Sequence, residues 1–172
     1  MEHSSDSPTT LNIASYSDDW RSRLLSTFAH TPFTVSCGAI NINCASVEGF
    51  WQGLKWPEGS ADRERIFGLS ALEAKLAGQG APATTHVRLC GRDVRIGSAE
   101  HHDLARLAMR AKLEQNASVQ RALEATYDLV FTHVLVDETG RPYPDSLTLP
   151  AAVFCAIWTE LRVEWRLHQS QR

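Results

Sequence analysis

At 172 residues, with 43% hydrophobic and 22% charged residues, the chain has the size and composition of one soluble globular domain that can bury a core. Its net charge of −3 argues against a broad nucleic-acid-binding face and leaves room only for a local basic patch. No apolar run is long enough to span a membrane, so no membrane partner is expected.

Residues 1–10 are polar and serine-rich and lack the apolar stretch of a secretory signal, so they read as a disordered tail before a single domain over 11–168. A cytoplasmic location follows from that reading. The four cysteines, Cys37, Cys44, Cys90 and Cys155, form no Cys-x-x-Cys pair and are expected as free thiols in a reducing compartment. Neither they nor the seven histidines have metal-ligand spacing, so no metal site is expected.

In chain order, the alternation from Leu11 to Tyr16 predicts a first strand, and Asp18-Asp19-Trp20-Arg21 begins a short helix or turn. Phe33 to Val35 and Ala39 to Asn43, joined around Gly38, predict a β-hairpin that delivers the chain to Ser46. Ser46 can cap a helix and Pro57 discourages its continuation, which bounds a helix through Trp56. On it Glu48, Trp51, Gln52 and Lys55 share one face, beside an apolar stripe of Val47, Phe50, Trp51 and Leu54. Gly49 and Gly53 each cost about 1 kcal/mol against alanine in a helix, which makes sense if something approaches that helix closely.

Ser60 opens a second helix with Asp62 and Glu64 in its first turn. Ser70-Ala71-Leu72-Glu73 has the capping-box pattern, and the helix it opens stops near Gly78 and Gly80. Residues 81–98 read as a loop in which Arg88, Arg92 and Arg95 alternate with Leu89 and Val94. Leu104, Leu107, Ala108 and Ala111 mark a helix from Glu100 to Asn116, and Ser118 to Thr126 continues helically. Leu129 to Val136 reads as a largely buried strand, residues 141–150 as a loop, and a last helix starts at Pro150 and frays after Trp165. The expected fold is a compact, mainly helical α+β domain with a small antiparallel sheet.

These segments support a comparison. Leu25-Ser26-Thr27-Phe28 with Thr31-Pro32-Phe33 resembles the pattern Leu-Ser-Asn-Phe-x-x-x-Pro-Phe, and Ser46-Val47-Glu48 with Gln52 and Lys55 resembles Ser-Val-Glu-His-x-x-Gln-Ala-x-Lys. Met109 to Asn116 resembles a third landmark, and Ala125-Thr126 falls where a Leu-x-x-Thr stands. Together they resemble the NADAR family, the riboflavin-intermediate N-glycosidase-like proteins, over roughly Leu25 to Arg162. The resemblance implies a mainly helical fold and cleavage of an N-glycosidic bond to ribose without a metal or other cofactor. The implied substrate is either a small-molecule ribosyl nucleotide, such as a phosphoribosylamino-pyrimidine, or ADP-ribosylated guanine in nucleic acid. It carries a catalytic role onto Glu48, with Lys55 as a participant. Three positions depart from the pattern. Thr27 stands for asparagine, Gly49 stands for histidine, and the Asp-x-x-Trp-Gly landmark has no equivalent beyond Pro144-Asp145-Ser146.

Each candidate also has a plainer role. A first-turn glutamate such as Glu48 interacts favourably with the helix dipole, and Lys55 at the other end does the same. Gln52 either bridges Glu48 to a ribose hydroxyl or faces solvent. Trp51, Trp56 and Phe28 either stack on a base or pack in the core. Arg92, with Arg88 and Arg95, either grips a phosphate or decorates an exposed loop. His133 suits a hydrogen-bonded core position, and Asp145 either enters the pocket or caps the last helix. A non-catalytic module that binds ADP-ribose or a related nucleotide is the alternative function.

Overall fold

The computed structural model describes residues 9–171; of the tail expected over residues 1–10, residues 1–8 lie outside them. The elements in order are β1 (Thr10–Asn12), α1 (Trp20–Leu25), β2 (Phe33–Cys37), β3 (Ile40–Cys44), α2 (Val47–Gly53), α3 (Ala61–Phe67), α4 (Ala71–Gln79), β4 (His86–Leu89), β5 (Arg92–Arg95), α5 (Ala99–Gln115), α6 (Ala117–Glu124), β6 (Val130–Thr132) and α7 (Ala151–Gln169). This is a compact, mainly helical α+β fold with three two-stranded sheets among the described residues.

Two sheets are antiparallel hairpins, β2 with β3 and β4 with β5. The third pairs β1 with β6 in parallel, Leu11 opposite Phe131. Asn12 extends that pairing, since its side-chain amide donates to the Val134 carbonyl (2.9 Å) and its Oδ1 accepts from the Val134 N–H (2.7 Å).

Local chemistry sets most boundaries. Asp19, Ser46, Ser60 and Ser98 cap α1, α2, α3 and α5 by accepting backbone N–H bonds. Ser70 does not cap α4: its hydroxyl lies 3.0 Å from His30 Nδ1, and Ala71 takes a left-handed φ of 50°. The capping-box expectation there is corrected, because a side-chain partner elsewhere outcompetes the helix end.

Other expectations change too. Residues 86–95 form the β4–β5 hairpin instead of a loop, turned by Cys90 and Gly91, both with positive φ. The strand expected from Leu129 to Val136 shrinks to three residues, of which only Phe131 is buried. On α5 the buried face carries Ala105, Ala108, Met109 and Lys112, while Leu107 is exposed, so the true stripe is rotated from the expected one. Helix α7 runs on to Gln169 past the expected fraying at Trp165.

The four-thiol reading is corrected: Cys37 and Cys90 form a disulfide with Cα atoms 5.6 Å apart. Both sit at hairpin turns that meet in space, a proximity across 53 residues that no local pattern reveals. Thiol titration of the unreduced, unfolded protein should find two reactive thiols, Cys44 and Cys155; four would refute the pairing. No helix among the described residues is long and apolar enough to cross a membrane.

Helix α2 is the centre of the core. All seven of its residues are buried, and it packs on α3, α4 and α5. Gly49 and Gly53 permit this. A Cβ on Gly49 would collide with the Leu69 carbonyl and press on those of Ile66 and Phe67, and one on Gly53 would strike the Phe67 ring.

Candidate functional site

The site grows from the joint between β3 and α2. Ser46 Oγ accepts from the Gly49 N–H (2.8 Å) and donates to the Leu69 carbonyl (2.9 Å), so the cap also ties α2 to the α3–α4 connection. Across from it runs the segment Leu25–Thr27. Three successive carbonyls of that segment are held by three helices: Leu25 O accepts from Trp158 Nε1 (3.1 Å), Ser26 O from Lys112 Nζ (2.7 Å) and Thr27 O from the Glu48 N–H (3.0 Å). Thr27 is thereby fixed beside Glu48.

Glu48 is buried, 8% exposed as a residue, and both of its carboxylate oxygens are engaged. Thr27 Oγ1 donates to Oε2 (3.1 Å) and Gln52 Nε2 donates to Oε1 (2.8 Å). Gln52 Oε1 in turn accepts from Lys55 Nζ (2.5 Å), giving an ammonium–amide–carboxylate relay from α2 into the turn that follows it. The Gln52 amide fits because α4 has Gly78 against it; a Cβ there would overlap Gln52. The half-buried Lys55 amine has its pKa lowered, chiefly by burial and further by Lys75, with Glu48 opposing. A lysine so placed is more easily deprotonated than a solvated one.

Two more groups complete the site. His101, at the start of α5, stacks on Trp51 with ring centroids 4.1 Å apart. Burial, then His102 and Lys55, push its pKa down to about 4, so the ring is neutral near pH 7. Its Nδ1 accepts from the Gly97 N–H (3.0 Å), which leaves the proton on Nε2. Lys75 on α4 places its amine 6.0 Å from the centre of the Phe28 ring. The two free thiols do not supply a nucleophile: burial pushes Cys44 up to about 12 and Cys155 up to about 11.

Of the residues singled out in the sequence, Glu48, Gln52 and Lys55 come together directly, Trp51 lies buried on the same helix, and Phe28 follows Thr27. Arg92 is exposed at the start of β5, while Arg88 pairs with Glu58 and Asp93, both at 3.4 Å. Asp145 Oδ1 accepts from the N–H groups of Ser146 and Ala151, both at 2.8 Å, and so caps α7. His133 Nδ1 lies 2.7 Å from the Ile13 carbonyl, with its ring against Phe154. No group of three or more His, Cys, Asp and Glu side chains among the described residues is arranged to hold a metal ion.

The sequence reading gave no role to Thr27 as a partner of Glu48, nor to His101, Lys75 or Lys112. Lys112 had a signal: it lies seven residues after Ala105 and four after Ala108, on the apolar face of α5. It is fully buried, hydrogen-bonded to Ser26 O, and 5.9 Å from the Trp158 ring centre. Burial pulls its pKa from 10.5 down to about 7. The unfolded chain therefore binds more protons between those values, so Lys112 lowers stability most below pH 7 and stops doing so above pH 10.5. Stability should rise by about 2 kcal/mol from pH 7 to pH 9 on this account. Lys112→Met should flatten that dependence in denaturant titrations; an unchanged slope would show that another group is responsible.

A search of curated proteins found no match. Among solved structures, the chain is similar to the NMR structure of the E. coli protein YbiA, with a TM-score of 0.65 and 21% identity over 96% of this chain and 90% of that one. That likeness supports a NADAR-like fold. The family model described as bacteriophage protein GP30.3 matches residues 19–162, most of the sequence, and the chain belongs to that family.

Proposed function

We propose that the protein is an N-glycosidase that hydrolyses the bond between a base and C1′ of a ribosyl nucleotide. The reading is carried by one observation: a buried carboxylate, Glu48, is oriented through both oxygens by Thr27 and Gln52 and linked through Gln52 to Lys55. As C1′–N bond breaking proceeds, positive charge builds on C1′ and the ring oxygen. A carboxylate held as a hydrogen-bond acceptor lowers the energy of that cation and can take a proton from the attacking water. The electron pair of the broken bond leaves with the base, and the water oxygen ends on C1′. Lys55 either binds a phosphate of the substrate or, when deprotonated, attacks C1′ itself.

The NADAR-like fold and the Ser-Val-Glu motif support the assignment of Glu48. Thr27 supplies to Glu48 a hydrogen bond in place of whatever the family asparagine does. The substrate is a phosphoribosylamino-pyrimidine or ADP-ribosyl-guanine. Mass spectrometry of products from both, with free ADP-ribose as a control, tests the reading. Appearance of a free base with a ribose-bearing partner is the expected result. Binding of ADP-ribose with no base released from either N-riboside would overturn it in favour of a nucleotide-binding module.

A further inference from the structure

A cavity of about 330 Å³ lies between the end of α6, with the turn after it, and the C-terminal half of α7. Its size is within the usual range for small-molecule sites. None of Thr27, Glu48, Gln52 and Lys55 lines it. On α7, Arg162, Trp165 and Arg166 stand at i, i+3 and i+4, so one helical face supplies one wall. Leu123 and Tyr127 contribute to the other wall, giving the cavity an apolar and aromatic body.

The charged groups of the lining are not equivalent. Glu124 Oε1 accepts from Trp165 Nε1 (2.8 Å), and Asp128 Oδ1 accepts from Arg166 Nη1 (3.0 Å). Arg166 also donates to the Tyr127 carbonyl. Arg162, by contrast, is 8% exposed and forms no ion pair among the described residues. Its Nη1 donates to Thr126 Oγ1 (3.1 Å) and to the Leu129 carbonyl (2.8 Å), and the guanidinium sits 4.4 Å from the centre of the Phe131 ring. Those contacts fix the plane of the group.

The other two nitrogens of Arg162, Nε and Nη2, have no protein acceptor among the described residues. They are not sealed either, because the sealed and unpartnered side-chain atoms are Trp56 Nε1 and Arg63 Nη2. Nε and Nη2 form the side-on fork of a guanidinium, the pair of donors that meets two oxygens of a carboxylate or phosphate. Burial lowers the Arg162 pKa and Arg166 lowers it further, with Asp128 opposing, so the fold leaves this charge undercompensated. An anion at the fork would supply the missing partner.

We propose that this cavity binds a small organic anion, whose carboxylate or phosphate oxygens take the Nε–Nη2 fork of Arg162 and whose ring packs between Trp165 and Tyr127. The site is separate from the chemistry at Glu48 and does not depend on the N-glycosidase reading.

The indole N–H of Trp165 reports on the cavity in proton–nitrogen NMR spectra and is assigned by its disappearance in Trp165→Phe. Phenylacetate and phenyl phosphate are the probes; acetate and phenylacetamide control for the ring and for the charge. At least one of the two aromatic anions should shift the Trp165 signal saturably in the millimolar range or below. It should bind at least about tenfold tighter than either control, in keeping with a charge-assisted hydrogen bond. The tighter of the two identifies the head group. Arg162→Lys keeps the charge but removes the fork, and should weaken binding about tenfold. Since Arg162 also holds the turn after α6, a melting temperature checks that this variant folds. Tyr127→Gly is the second variant. Tyr127 is 73% exposed with a φ of 45°, which glycine adopts without strain, so the change keeps the fold and removes one aromatic wall. It should weaken binding about threefold or more. Absence of a saturable shift, equal binding of either control, or full affinity in Tyr127→Gly or in a folded Arg162→Lys protein would overturn the proposal.

Discussion

Glu48→Gln should reduce base release by about 10³-fold or more, equivalent to some 4 kcal/mol of transition-state stabilisation, while leaving the melting temperature nearly unchanged. The amide is the same size as the carboxylate, and one of its atoms can still accept a hydrogen bond from Thr27 or Gln52. It carries no charge to place against the developing oxocarbenium ion and has no basicity toward water. Interactions made mainly in the transition state affect kcat more than KM, so the loss should fall on kcat. Thr27→Val offers a graded control. It removes one donor to Oε2, keeps the charge, and should cost about tenfold to a hundredfold through misorientation. Wild-type turnover in the Glu48→Gln protein would remove the carboxylate from the mechanism altogether.

Gly49→His, the substitution that restores the family residue, should destabilise the fold by at least about 3 kcal/mol, at the upper end of overpacking costs. The reason is geometric. The first side-chain carbon would run into the Leu69 carbonyl and crowd those of Ile66 and Phe67, and these are backbone atoms at the end of α3 that cannot rotate away. Gly53→Ala provides the comparison. Its Cβ meets the Phe67 ring, which can turn, so a loss of about 1–2 kcal/mol is expected. Urea titration measures both. A Gly49→His protein with the wild-type midpoint would mean that the α2–α3 contact is looser than described. In this chain a glycine at residue 49 is accounted for by the backbone carbonyls of Ile66, Phe67 and Leu69 that pack against α2 there.

That contact also indicates how much of the molecule could be read before its shape was known. The start of helix α2 was legible because a serine cap and a polar row at helical spacing agreed, whereas its end falls at Gly53, short of the Trp56 expected from the proline. The glycines signalled a close neighbour. Which neighbour it was depended on how α3 folds back, and nothing local encodes that. Leu129–Val136 misled for a related reason: a β-branched run favours extended backbone, but β1, with which it pairs, is three residues long among the described residues. At Ser70 the capping pattern was present, yet His30, forty residues earlier in sequence, drew the hydroxyl away. In the site itself, Glu48, Gln52 and Lys55 were visible because they lie within eight residues of one another, on α2 and the turn that closes it. Thr27, Lys75 and His101 reach the same place from three other segments and became visible only with the tertiary fold.

The Cys37–Cys90 bond has a topological consequence. Residues 37–90 form a covalent ring, and the stretch from Glu48 to Lys75 that supplies most of the site lies inside it. Closing a loop of that size lowers the entropy of the unfolded chain by an amount equivalent to about 4 kcal/mol at room temperature. A protease cutting the exposed turn at Glu58–Gly59 would open the ring without dividing the molecule. The nicked protein would run at full mass on a non-reducing gel and separate into two fragments once reductant was added, so the two halves of the site stay tethered after their connecting backbone has been cut.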